Sequence, residues 1–444
     1  MREGPTVKKI LFIQPSCYDD DGLVIKKRTL HFVGLAFPII AALTPDDWEV
    51  EVCVELIEKV PFDTDADVVG IGGMGQSTRR GIDLAKEFKR RGKTVIMGGP
   101  MVTLAPQFAS PFCDSIVRGS AETVWAEVLD DLRRDRLKPE YYRPLESLST
   151  PLPKYEVVLD KRIGDFLPVQ AARGCVHSCR FCTIYCMYRN TYFRREIPEI
   201  IRDIRHVKSL GFSKFLLLDD NIMSDREFML ELCGQIRGLG MTWMSQCVID
   251  IGRDPEMLEA VRDSGCTALS FGLESINPQS LKDIHKAWAR PREYASLIET
   301  ITAAGIDVQS EMIVGVDSDT LESLRETIDF VAGARIIAPK FYLMTPIPGT
   351  DLFDDMQKQG RIVIDDLFAM TSSRPSMTHP NMTTEELGDI YWEIYDRLYT
   401  IPKVLRRTIL QKYFFRAPRR YFFYLLVNLF YRYQVRRRIG PIVV

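Results

Sequence analysis

No apolar stretch in these 444 residues reaches the ~18–20 needed to cross a bilayer; the candidate at Tyr421 to Tyr431 has eleven. The opening segment, MREGPTVKKILFIQPS, lacks the charged, apolar and small-residue sections of a secretory leader. Ten cysteines are too sparse in a chain this long for a disulfide framework, so a reducing cytoplasm is expected. Excess charge of either sign is missing as well: a net charge of −2 gives no global attraction to nucleic acid. There is no internal repeat and no low-complexity tract. What remains is a globular composition, 46% hydrophobic and 27% charged, which excludes wholesale disorder and at this length points to two or three domains.

Short β-rich runs alternate with amphipathic stretches over residues 1–140, the pattern of a Rossmann-like, doubly wound parallel sheet. Strands are expected at Lys9 to Gln14, Glu49 to Glu55, Asp67 to Gly72, Thr94 to Gly98 and Ser115 to Val117. A helix is expected over Thr78 to Arg91, closed by Gly92. Residues 141–168, punctuated by Pro144, Pro151, Pro153 and Pro168, read as a linker. From 169 to 350 the alternation resumes, with strands at Phe215 to Leu218, Thr242 to Cys247, Ala268 to Phe271, Val308 to Val314 and Lys340 to Met344. With the strand just before the first cysteine cluster this makes six βα units, an open (βα)6 barrel with its chemistry on loops at the carboxyl ends of the strands. Residues 351–444 read as a helical extension, notably Thr384 to Leu398.

Cys175, Cys179 and Cys182 stand within eight residues, directly after a strand end. Thiolates are the usual ligands of iron–sulfur clusters, and a four-iron cluster held by three thiolates keeps one iron open to a chelating small molecule. Zinc, the stronger competitor, would want a fourth ligand, for which Cys186 or His177 is near; ordinary buried thiols are the weaker alternative.

The spacing Cys-x3-Cys-x-Phe181-Cys resembles the signature of the radical S-adenosylmethionine (SAM) superfamily, whose fold is the partial βα barrel. That resemblance implies a 4Fe-4S cluster on Cys175, Cys179 and Cys182, with Phe181 beside the cofactor. It also implies reductive cleavage of SAM to a 5′-deoxyadenosyl radical, and an electron donor such as flavodoxin or ferredoxin. Later strand ends carry polar groups suited to SAM. Asp219, Asp220 and Asn221 could hold its ammonium group, or form a solvated turn. Glu274 could accept from ribose hydroxyls. Glu311, Ile313 and Gly315 resemble the element that packs on adenine, and Thr345 to Thr350 the turn after the sixth strand. A carboxylate inside an apolar strand is costly unless it has a task, which makes Glu311 the candidate catalytic residue.

In the N-terminal half, glycine-rich loops follow three strands: Gly72 to Ser77, Gly98 to Thr103, and Arg118 to Glu122. Gly73, Gly75, Ser77, Gly98, Gly99, Thr103, Gly119 and Glu122 are the candidate ligand contacts, because ligands of open α/β sheets bind at that edge. None matches the six-residue dinucleotide fingerprint, so NAD is not expected. Ahead of a radical SAM core, the module resembles the cobalamin-binding domain of the subgroup that includes class B methylases, hopanoid-modifying enzymes and the anaerobic magnesium-protoporphyrin cyclase. The Asp-x-His-x-x-Gly motif of classical cobalamin proteins is absent and His31 is the sole histidine before His177. Cobalamin with no histidine below the cobalt is therefore what the resemblance implies. It points to C-methylation of a small or lipidic metabolite via methylcobalamin, with radical cyclisation or rearrangement, or tRNA modification, as alternatives.

From Lys403 to Arg438 there are eleven Lys or Arg and no acid, interleaved with aromatics. Such a tail suits the surface of an anionic bilayer. Packing on the enzyme's own core would use the same aromatics, and nucleic acid, otherwise unlikely, the same cations.

Overall fold

Near-continuous apolar runs of Val, Ile, Leu and Phe build strands that are buried on both faces, as parallel sheets require. The structure, a computed structural model, describes residues 9–19, 21–364 and 373–441. It contains two six-stranded sheets, each parallel throughout.

The first sheet comprises β1 (Lys9–Gln14), β2 (Glu49–Val54), β3 (Val68–Gly72), β4 (Thr94–Gly98), β5 (Ser115–Arg118) and β6 (Glu140–Tyr142), in the order β2-β1-β3-β4-β5-β6. Strand order reverses between β1 and β3, which places a ligand crevice there, at the carboxyl edge. Close packing requires Gly70: a Cβ would lie 2.5 Å from the Phe12 ring, which stacks on Phe37 at 5.2 Å. The Ser77–Arg90 helix buries Ile82, Leu84, Ala85 and Phe88 and ends, as its spacing predicts, at Gly92 with φ +76°.

β7 (Leu167–Gln170) opens the second half and is followed by an antiparallel ribbon of β8 (Ala172–Gly174) and β9 (Tyr192–Arg194). β10 (Lys214–Leu218), β11 (Thr242–Cys247), β12 (Cys266–Glu274), β13 (Asp307–Val314) and β14 (Ile336–Leu343) complete the second sheet, ordered β14-β13-β12-β11-β10-β7. No pairing joins β14 to β7, so this is the open barrel expected. Two boundaries differ from the sequence reading. β6 extends the first sheet across residue 140, and β7 begins inside the stretch read as linker. That stretch is pinned at both ends: Ile163 bridges Leu30 of the first half, and Tyr155 donates to the Pro168 carbonyl.

An open barrel exposes the backbone of its last strand, and the C-terminal helices cover it. The Tyr395 hydroxyl, from the Thr384–Leu398 helix, meets both the amide and the carbonyl of Phe341 at 2.9 Å. Tyr399 donates to the Pro339 carbonyl at 2.7 Å, and Asn428 to that of Ile337 at 3.0 Å. Tyr421 and Arg420 bind the buried Asp307 at 2.7 and 2.8 Å. Core packing therefore accounts for one face of the basic, aromatic tail. Among the described residues no helix is long and apolar enough to cross a membrane.

Candidate active site

The cluster loop leaves β8 through Gly174, whose φ of +94° and close approach to Thr191 exclude a side chain: a Cβ would sit 2.0 Å from the Thr191 carbonyl oxygen. Fixings on several sides hold the loop. The Gly174 amide donates to Asp220 at 2.7 Å, the Arg180 amide to the Ile284 carbonyl at 3.3 Å, and the Arg180 guanidinium to Asp355 at 2.6 Å. Cys175, Cys179 and Cys182 are half-buried or buried, and burial pushes all three thiols up, Cys179 to about 12. A thiol so placed becomes a thiolate only beside strong positive charge, which iron supplies.

No three His, Cys, Asp or Glu side chains among the described residues are gathered tightly enough for a single ion. Three separated thiols from one loop instead suit a cluster that takes each on a different iron. The donor set fits a 4Fe-4S group, and no fourth thiol joins it: Cys186 lies one turn along the Thr183–Tyr188 helix, where Asp351 and Arg189 are its charged neighbours.

Sequence reasoning missed Lys286. Its ammonium, buried next to the thiols, donates to the Gly272 carbonyl at 2.6 Å and to Glu274 at 3.0 Å, and lies over the Trp288 ring. Trp288 in turn stacks on His177 at 3.9 Å. Burial raises the Glu274 carboxyl while Lys286 opposes it. Glu274 itself has φ +61°, a conformation forced on a non-glycine residue at a site that holds a special geometry. Over a hundred residues of sequence separate Cys179 from Lys286, and no spacing announces their meeting.

The other candidates fall into groups. Asp219 and Asp220 are engaged within the fold: Asp219 accepts from Tyr192 at 2.5 Å and from the Asn221 amide at 2.8 Å, and burial pushes it up to about 7. Asn221 accepts from the amides of Met223 and Val248 at 3.2 Å. Gly315, φ +92°, closes β13 with its amide on Asp319, beside the apolar cluster of Ile313, Val316 and Met344 against which Phe181 packs. Glu311 lies mid-strand on the inner face, with Ser270 at 3.3 Å and Lys340 at 4.0 Å.

At the first sheet's edge the glycine loops tie to one another. A Cβ on Gly99 would lie 2.5 Å from the Gly73 carbonyl, and Ser77 hydrogen-bonds Met74. Thr103 donates to the Gly99 carbonyl and accepts from the Gly119 amide, both at 2.9 Å. A Cβ on Gly98 would make ordinary contact with Val117, while one on Gly75, φ +49°, would meet nothing within 4 Å; Gly75 adjoins the exposed Met74. This edge is exposed at Met74 and Gly75 and carries backbone where a ligand could approach; it offers no histidine, since His31 lies by Gly164 in the linker. The two halves meet where this edge faces the cluster loop. Arg173 donates to Glu122 at 2.6 Å and Ser120 at 3.0 Å, and a Cβ on Gly349, past β14, would lie 2.6 Å from the Leu104 carbonyl.

Comparison with known proteins bears on this arrangement. The family profile described as the radical SAM superfamily matches residues 169–331. Bacteriochlorophyllide d C-12(1)-methyltransferase of Chlorobaculum tepidum is 31% identical over 306 residues, covering 66% of this chain and 67% of that protein. The chain belongs to the radical SAM superfamily. It is accordingly an enzyme whose cofactors include a 4Fe-4S cluster and SAM. The C-8(2)-methyltransferase for bacteriochlorophyllide d from the same organism is 29% identical over 368 residues, covering 78% of this radical SAM enzyme and 80% of its relative. The structure of TsrM, a radical SAM methyltransferase of Kitasatospora setae with cobalamin and a 4Fe-4S cluster bound, superposes with a TM-score of 0.63 at 15% identity, covering 79% and 78% of the two chains. The shared fold extends across both halves.

Proposed function

We propose that this is a cobalamin-dependent radical SAM methyltransferase that transfers a methyl group to carbon in a pigment- or lipid-like small molecule. The observation that carries the reading is the seam at Arg173. One guanidinium, two residues before Cys175, grips Glu122 and Ser120 on the glycine loops, so a ligand on the first sheet and a cluster on the thiols would face the same space. The relatives named as methyltransferases of bacteriochlorophyllide support the reaction and the substrate class.

In this reading Cys175, Cys179 and Cys182 would hold the cluster, and the backbone around Gly73 to Ser77, Gly98 to Thr103 and Gly119 to Glu122 would hold cobalamin. When bound, the cluster and SAM supply a carbon radical and cobalamin carries the methyl group. The chain's own residues position and shield. Lys286 neutralises the negative charge of the thiolates and orients Glu274, which accepts from SAM hydroxyls. Phe181 and the Ile313 to Val316 cluster exclude water from one side. Glu311 and Lys340 face the barrel interior. A reduced flavodoxin or ferredoxin is the electron donor in this scheme.

Anaerobically purified protein should hold about four iron and one cobalt per chain, and turnover with SAM should release 5′-deoxyadenosine together with S-adenosylhomocysteine. Deoxyadenosine alone would replace methylation by radical cyclisation or rearrangement. Cys179→Ala should lose the iron absorbance and SAM cleavage together; retained cleavage would remove Cys179 from the ligand set.

A further inference from the structure

The C-terminal helix, Pro418–Val435, has two apolar faces, and among the described residues only one is used inside the protein. Tyr421, Tyr424, Asn428, Tyr431 and Val435 turn to the barrel and are buried. On the opposite side Phe422, Leu426, Leu429, Phe430 and Tyr433 recur at helical spacing as one stripe, each between 37% and 55% exposed. Phe415, just ahead of the helix, is 89% exposed. Single exposed apolar residues are ordinary, but a contiguous stripe marks a contact surface.

Charge identifies the partner. The acids of other elements that reach the tail are already taken, Glu299 by Lys412 at 2.6 Å, Asp307 by Arg420 at 2.8 Å and Asp396 by Arg438 at 2.8 Å. Arg406, Arg419, Arg436 and Arg437 have no carboxylate partner among the described residues. Arg419 brackets one end of the stripe, and Arg436 and Arg437 the other, with Arg437 lying over the Tyr433 ring at 4.4 Å. A second copy docking through this face would bring like charges together. Nucleic acid would find no donor on Leu426 or Leu429. A surface that is apolar along its axis and cationic at its rims matches an anionic lipid bilayer, with headgroups for the arginines and acyl chains for the stripe.

We propose that the outer face of this helix docks the enzyme on an anionic bilayer, with the helix axis in the plane of the interface. Docking requires no turnover, so this inference and the catalytic reading fail independently.

Co-sedimentation of the full-length protein with vesicles tests it. Vesicles of equal parts phosphatidylcholine and phosphatidylglycerol should capture the protein, and pure phosphatidylcholine vesicles should capture far less. The variant Phe422→Ser/Leu426→Ser/Phe430→Ser should bind mixed vesicles at least about tenfold more weakly at unchanged melting temperature and iron content. Arg419→Gln/Arg436→Gln/Arg437→Gln should abolish the preference for the anionic lipid. The proposal is overturned if the parent protein stays in the supernatant, or if the serine variant binds as the parent does. A fall from dimer to monomer on serine substitution, without vesicle capture of the parent, would assign the stripe to self-association. Capture by an oligonucleotide alone, insensitive to the serines, would assign the arginines to nucleic acid.

Discussion

Arg195 has no exposed side-chain surface, and neither has its partner Asp203 at 2.8 Å. The guanidinium also donates to the Gln170 carbonyl at 2.9 Å, which joins the end of β7 to the helix beyond the cluster loop. Asp203 keeps Arg202 at 2.9 Å on its other oxygen, so Arg195→Ala should lower stability by about 1–3 kcal/mol, measured from denaturant midpoints. Gly174→Ala should fail differently: with 2.0 Å to the Thr191 oxygen the ribbon must open, and iron binding should fall while the separate first sheet keeps its hydrogen-exchange protection. Asp219 adds a pH dependence. Burial raises its carboxyl to about 7 from the ordinary value of 3.8, so the folded chain holds a proton that the unfolded chain has released between those values. The stability it contributes is complete below about 4 and is lost as pH rises through about 7. Asp219→Asn, which keeps an acceptor for Tyr192, should flatten the fall in unfolding free energy over that range; an unchanged slope would assign the titration to another group.

Among the elements, β14 depends on a segment distant in the chain. Tyr395 satisfies both backbone groups of Phe341, so Tyr395→Phe should cost about 1–3 kcal/mol and speed exchange of the Phe341 amide. The strand itself was legible: Lys340 to Met344 was read from its apolar alternation, although the strand begins four residues earlier, at Ile336, and ends at Leu343. Most strands and long helices were legible for the same reason, since burial on both faces writes a continuous apolar run. The segments that escaped are short. β6, β8 and β9 have three residues each, too few to show a period, and they are held by register with a neighbour. The tail was legible as cationic and aromatic, but which aromatics turn inward depends on the edge of β14, which the tail's own sequence does not describe.

For the whole molecule, the three thiols were legible because one loop carries them, whereas Lys286, Glu122 and Arg173 form contacts across distant parts of the chain that no local pattern encodes. Glu122 was singled out as a ligand contact; it is bound to Arg173 across the seam. Glu122→Gln should therefore leave iron content and 5′-deoxyadenosine release near parental levels while S-adenosylhomocysteine formation falls severalfold, as a loosened seam separates the two halves of the reaction. Equal losses of both products would place Glu122 at the cluster instead. Because Arg173 is also the residue that enters the ribbon before Gly174, the brace between domains and the root of the cluster loop are one object. Drift of the first sheet is therefore carried straight to the metal-binding loop through the Arg173 side chain, as a tie rod carries the movement of one wall to the next.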